Sequence, residues 1–222
     1  MTDWHSHILP GVDDGSANLE ESVQLLRLLS AQGINTVAAT PHFNAGYDNP
    51  HSFIDRRDRA YRTLLSEYHE DAPRIILGAE VAYYPGVSNM AELEALCIGD
   101  TGYLLLEMPL ARWSRYTQDE VLRLARSGRV TVVLAHAERY IPFRNASNIK
   151  ELCANGVLVQ ANASFFVGKK TRRAALKLLR EGRIHMLGSD CHNLDRRPPR
   201  IAQAIDVIES KSINRSKLKD YN

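Results

Sequence analysis

Apolar positions along the chain alternate between two spacings. Short β-rich runs occur at residues 2–6, 35–40 ("NTVAAT"), 74–80 ("RIILGAE"), 103–107 ("YLLLE"), 130–136 ("VTVVLAH"), 157–162 ("VLVQAN") and 184–190 ("IHMLGSD"). Near-continuous apolar runs of this length are the pattern of strands buried on both faces. Between them the spacing shifts to three and four, as in "LEESVQLLRLLSAQG", whose closing Gly33 fits a helix C-cap. A last helix is predicted from about Pro199 to Lys211. Seven strand-then-helix units and no internal repeat predict an α/β fold with a parallel sheet covered by helices. That many units in this length favour closure into a barrel over an open doubly wound sheet. Residues 1–210 are read as the barrel, and the polar, Lys-rich "KSINRSKLKDYN" at 211–222 as a mobile tail.

Composition changes this picture little. At 222 residues and 44% hydrophobic, the chain can bury one full core. A net charge of +2 gives no field argument for nucleic acid or a membrane surface. No apolar run approaches the roughly 18 residues of a membrane span, and the N-terminus does not read as a signal peptide. A cytoplasmic protein without membrane insertion is expected. Cys97, Cys153 and Cys191 form neither an even set nor a CxxC pattern, which suits a reducing compartment.

The polar residues carry the chemistry. Five of the eight histidines lie at or just past the C-terminal ends of predicted strands: His5, His7, His42, His136 and His192. Asp13, Asp14, Glu80, Glu107 and Asp190 do the same. In a parallel barrel those ends converge on one mouth, where active sites are built. Carboxylates gathered there repel and raise one another's pKa unless cations separate them. A mixed imidazole and carboxylate set suits Zn, Mn or Fe(II). Strand alternation aims His5 with His7, and Asp190 with His192, and turns Cys191 away. Taken singly, an HxH pair, a buried Glu or a lone His is more often structural; the joint placement is what points to metal. His51, His69 and His185 lie outside the pattern and are read as structural.

With these residues in view, "DWHSHILPGVDDG", "ATPHFN", "GAEV", "LLLEMP", "LAHAERY", "QANASF" and "GSDCHNLDRRPPR" resemble, in order, the polymerase-and-histidinol-phosphatase (PHP) family of metal phosphoesterases. Within it they are most similar to the manganese-dependent tyrosine-protein phosphatases of capsule and exopolysaccharide loci, the CpsB/CapC type. The resemblance implies a distorted seven-stranded (β/α) barrel holding three divalent ions, Mn2+ first, with Fe or Zn as alternatives. It implies His5, His7, Glu80 and Asp190 on the first metal, with Glu80 bridging to a second that adds Glu107 and His136. It places Asp14, His42 and His192 on the third. Spacing alone does not choose between Asp13 and Asp14. The implied partner is an autophosphorylating bacterial tyrosine kinase with a tyrosine-rich tail; oligomeric state is left open, a homo-oligomer included.

Four ligand carboxylates and three divalent ions leave such a site net positive, matched to a phosphate dianion. Arg139 and Arg197, just beyond ligand-bearing strand ends, are the candidate catalytic guanidiniums, with Arg196 as the alternative to Arg197. Phe43, Tyr47 and Tyr84 are candidates to pack on a phosphotyrosine ring. A histidinol-phosphate phosphatase and a non-catalytic metal-stabilised module are rival readings. A third rival is internal: "CHNLDRR" at 191–197 matches the C-x5-R loop of cysteine-dependent phosphatases. That loop binds phosphate through backbone N–H groups, whereas this one lacks glycine and runs into Pro198 and Pro199.

Overall fold

The computed structural model describes residues 1–67, 72–213 and 215–221; His69 lies outside them. The elements run β1 (Thr2–Ser6), α1 (Leu19–Ala31), β2 (Thr36–Ala39), β3 (His42–Phe43), α2 (Pro50–Leu65), β4 (Arg74–Leu77), β5 (Glu80–Ala82), β6 (Tyr103–Glu107), α3 (Arg115–Arg126), β7 (Thr131–Leu134), α4 (Ala146–Ala154), β8 (Leu158–Asn162), α5 (Ala163–Val167), α6 (Arg172–Arg180), β9 (Met186–Gly188) and α7 (Ile201–Glu209). Every strand pairing is parallel, in the orders β1-β2-β4 and β3-β5-β6-β7-β8-β9.

The expected run at 74–80 is two strands, not one. Gly78 separates β4 from β5, and a Cβ there would meet Ile98 at 2.9 Å, so the chain passes too close for a side chain. Across from this break, Thr40 and Pro41 divide β2 from β3. Hydrogen bonds from Gly78 N to Ala39 O (2.9 Å) and from Glu80 N to Pro41 O (3.0 Å) carry the pairing over both breaks.

The result is an α/β fold whose mostly parallel sheet curls into a half-barrel. β1 meets the segment just past β9 at one bridge, Ser6 with Cys191, flanked by Asp190 N donating to His5 O (2.8 Å) and His7 N to Cys191 O (2.9 Å). One large core, including Leu25, Phe53, Val121, Leu179 and Ile205, lies between sheet and helices. A second buried cluster takes Trp4, Ala38, Ile76, Leu105, Val133 and Met186 from six different strands. Residues from strands so far apart in pairing order touch only on the concave face, so this cluster fills the inside of the curl.

The C-terminal segment differs from the expected mobile tail. Lys219 N donates to His185 O (2.8 Å), Trp4 Nε1 to Lys219 O (2.9 Å), and the Tyr221 hydroxyl to Asp100 (2.6 Å). Tyr221 and Tyr103 both pack against Trp4, with ring centroids 6.2 and 5.7 Å away. The polar tail therefore seals the floor of the curl, at the strand starts. No helix among the described residues is long and apolar enough to cross a membrane.

Candidate metal centre

At the opposite end, the strand ends bring the sequence-selected residues together. The Nε2 atoms of His5, on β1, and His7, one residue past its end, are 3.1 Å apart. Glu80, at the first position of β5, is the hub: Oε2 lies 3.2 Å from His5, 3.3 Å from His7 and 3.0 Å from His42, and Oε1 lies 2.7 Å from His136. His136 is 3.4 Å from Glu107. Asp190 stands 3.6 Å from both His5 and His7. Asp14 approaches His42 (3.3 Å) and His192 (3.5 Å).

Three overlapping sets offer donor atoms all within 4.8 Å of one another: His5, His7 and Asp190; His42, Glu80 and Glu107; and His7, Asp14, His42 and His192. These sets match the chemistry of divalent-metal sites. They share members differently from the implied assignment, because His7 also falls with the Asp14 group and His42 with Glu80 and Glu107. Two buried donors, Glu80 Oε2 and His192 Nε2, make no hydrogen bond. A buried donor without a hydrogen bond is costly in a finished core and is what a metal ligand looks like without its ion. The residues fit the group.

The charges interlock. Burial alone would raise the Glu80 carboxyl, but His5, His136 and His42 overcome it and hold Glu80 well below the usual carboxylate range. Burial would lower His5, yet Glu80 and Asp190 raise it to about 9. Burial and the neighbouring His7 and Arg197 push His192 down to about 4, leaving a neutral imidazole with a free lone pair. Glu80 likewise raises His42 against burial, so both rings lean toward the charged form beside these carboxylates.

Two of these residues sit on left-handed backbone, His136 at φ 30° and Asp190 at φ 53°. Such conformations cost about 1–3 kcal/mol each in a non-glycine residue and survive only where neighbours enforce them. Here His136 N donates to Gln160 Oε1 (2.6 Å) and Asp190 N to His5 O (2.8 Å).

Asp13 and Asp14 divide their labour. Asp13 accepts from His7 Nδ1 (2.7 Å) and from the backbone N–H of His42 (2.9 Å), so it orients the His7 ring and pins the His42 backbone. Asp14 is 67% exposed at its side chain and faces His42 and His192 at the rim. Gly15 lets this loop close, because a Cβ there would strike His7. Sequence reasoning missed three further supports. Gln160 contacts His5 Nδ1 (3.2 Å), Asn162 donates to Asp190 Oδ2 (2.7 Å), and the Tyr140 hydroxyl lies 3.3 Å from His136 Nδ1. Gln160 and Asn162 obey the same rule as the sequence-selected residues, alternate positions at a strand's C-terminal end.

Arg139 and Arg197 both reach Asp190, Arg139 at Oδ2 and Arg197 at Oδ1 (2.6 Å). Arg196 makes no ion pair among the described residues. The aromatic candidates divide: Phe43 is fully buried against Phe53 (5.3 Å, edge-to-face) and is core, whereas Tyr47 is 93% exposed. His185 is half-buried, its Nδ1 accepting from Val159 N (3.0 Å), and His51 is an exposed partner of Glu92 (3.7 Å).

The model of the family described as capsular polysaccharide synthesis, CpsB/CapC, matches residues 1–219. The chain is 33% identical over 219 residues to the tyrosine-protein phosphatase YwqE of Bacillus subtilis (strain 168), covering 95% of this chain and 85% of that one. It is 32% identical over 222 residues to the tyrosine-protein phosphatase CpsB of Streptococcus pneumoniae, covering 95% and 90%. One of the crystal structures of YwqE from Bacillus subtilis and CpsB from Streptococcus pneumoniae, described as unique metal-dependent tyrosine phosphatases, superposes with a TM-score of 0.84 at 29% identity, over 98% of this chain and 90% of that one. A match along nearly the whole length in sequence and in fold establishes that the chain belongs to the CpsB/CapC family of capsular polysaccharide synthesis proteins.

Proposed function

We infer that this protein is a metal-dependent protein-tyrosine phosphatase acting in capsule or exopolysaccharide synthesis. The observation that carries the inference is the cluster around Glu80, with two buried donor atoms left without hydrogen bonds, in a chain whose relatives are named tyrosine-protein phosphatases. The reading takes the sheet as a distorted seven-stranded barrel, counting β2 with β3 and β4 with β5 as single interrupted strands. It takes His5, His7, Glu80 and Asp190, then Glu80, Glu107 and His136, then Asp14, His42 and His192, as ligands of three divalent ions, Mn2+ by preference. The substrate is phosphotyrosine on the tyrosine-rich tail of an autophosphorylating bacterial kinase, met on the cytoplasmic side.

Bound divalent ions would supply Lewis acidity, activating water and neutralising charge on phosphorus. The chain's own groups do the rest. Arg139 and Arg197 bind phosphate oxygens through their guanidinium forks, and Asp190 between them keeps both aimed at the mouth. Asp13, Gln160 and Tyr140 fix the rings of His7, His5 and His136. The leaving phenolate has an ordinary pKa near 10, so it departs without a dedicated acid more readily than an alkoxide.

Chelation followed by single add-back of metals tests the reading. Activity on a phosphotyrosine peptide is expected to vanish in chelator and to return best with Mn2+. Full turnover by protein shown by elemental analysis to be metal-free sinks the proposal. For the arginines, Arg139→Ala and Arg197→Ala are each expected to lose about tenfold to a hundredfold in kcat/KM, the scale of one charge-assisted interaction. Bound metal should be unchanged. Wild-type kcat/KM in both variants rules out their assigned role.

A further inference from the structure

Beside the metal cluster lies a cavity of about 270 Å³ whose wall includes Arg139, Arg197, Asp190, Arg196, Arg200 and Ser164. Its charge is one-sided: four arginines and a single carboxylate line it. Arg139 and Arg197 are committed to that carboxylate. Arg196 and Arg200 are exposed and make no ion pair among the described residues. The cavity therefore holds two guanidiniums more than its own structure or a single phosphate group occupies.

Their placement is fixed by the loop that carries them. Asn193 Oδ1 accepts from the backbone N–H groups of Asp195 (3.3 Å), Arg196 (2.7 Å) and Arg197 (3.0 Å), a closed turn that sets the two arginine positions. Pro198 and Pro199 then hold the backbone extended. Arg200 precedes α7, and its stretch is pinned to the end of α1 by the capping residue Gln32, which donates to Pro199 O (3.0 Å) and accepts from Ala202 N (3.1 Å). Arg197 is turned into the metal cluster, while Arg196 and Arg200 remain on the cavity wall.

We propose that Arg196 and Arg200 form a second anion subsite, which selects substrates carrying a carboxylate or a second phosphate next to the phosphotyrosine. The proposal rests on the phosphatase reading and deepens it: it assigns a substrate class, a phosphotyrosine in an acidic context, to the same mouth. Exposed ion pairs are individually weak, so the effect is a modest one on KM. Two of them are expected to lower KM about threefold to tenfold for an acidic-flanked peptide relative to an alanine-flanked one. The preference should fade as added salt screens it.

The test measures kcat and KM of the metal-loaded protein on free phosphotyrosine and on phosphotyrosine peptides flanked by Ala, by Glu, by Lys or by a second phosphotyrosine. Wild type is expected to rank both acidic contexts ahead of Ala and Lys through KM, with kcat constant. The Glu and phosphotyrosine arms show which anion is preferred. The double variant Arg196→Ala/Arg200→Ala should erase the ranking and leave free phosphotyrosine turnover within about twofold of wild type. Flank-independent KM in wild type overturns the subsite while leaving the phosphatase reading intact. A ranking that survives in the double variant also overturns it. No turnover of free phosphotyrosine or of any of the peptides by fully metallated wild type overturns both.

Discussion

Glu80→Gln should reduce kcat/KM by at least about a thousandfold, the largest loss of any single isosteric change in the cluster. Glu80 is 1% exposed and touches four imidazoles, those of His5, His7, His42 and His136. The amide keeps the shape and removes the charge. A neutral oxygen is a poorer ligand for a hard divalent ion, and the amide nitrogen turns a hydrogen-bond donor toward rings that must present lone pairs. A thousandfold corresponds to about 4 kcal/mol, within the several kcal/mol that metal-ion catalysis supplies. Metal content and kcat/KM should be measured together. A Glu80→Gln protein with full metal and more than a tenth of wild-type activity removes Glu80 from the ligand set.

The position of Glu80 was legible because strand ends converge, a property of parallel sheets that needs only the order of elements. His5 lies on β1 and His7 one residue past its end, where His7 N still donates to Cys191 O and carries the alternation on. Asp190 and His192 were placed together by the same argument for a different physical reason. β9 ends at Gly188, and it is the left-handed backbone at Asp190 that swings its carboxylate to within 3.6 Å of His5 and His7. A single-residue φ has no signature in hydropathy. The choice between Asp13 and Asp14 was illegible for a related reason, since it depends on which carboxylate meets the His42 backbone N–H across the loop.

Other parts were hidden by chemistry that looks ordinary in sequence. Gln160 and Asn162 were not singled out because neutral amides do not stand out as ligands, yet they hold His5, His136 and Asp190 in place. The segment 211–222 looked solvated because its polar residues dominate. What docks residues 219–221 includes one ring, Tyr221, and one backbone carbonyl, at Lys219, both meeting a buried Trp4, besides the bonds to His185 and Asp100. The split of 74–80 into two strands depends on the close approach of Gly78 to Ile98, a tertiary contact twenty residues away in sequence.

Asp190 and Cys191 are neighbours in sequence, and opposite outcomes are expected when each is changed. Asp190→Asn keeps the side-chain shape but removes the charge that faces His5, His7, Arg139 and Arg197, and should cost about a thousandfold in kcat/KM with loss of bound metal. Cys191 carries the sulfur that a C-x5-R mechanism would use as nucleophile. That thiol is fully buried in the apolar core, and burial with Asp3 nearby pushes its pKa far above the ordinary thiol value. A nucleophilic cysteine needs the opposite, an exposed thiol with a depressed pKa. Cys191→Ser should therefore stay within about threefold of wild-type kcat/KM. Its cost should appear in stability, because the hydroxyl enters an apolar site: about 1–2 kcal/mol, or a Tm lower by about 2–8 °C for a chain of this size. Measuring kcat/KM, metal content and Tm for both variants separates the chemistries. A folded, fully metallated Cys191→Ser protein without activity would overturn the metal mechanism in favour of the thiolate.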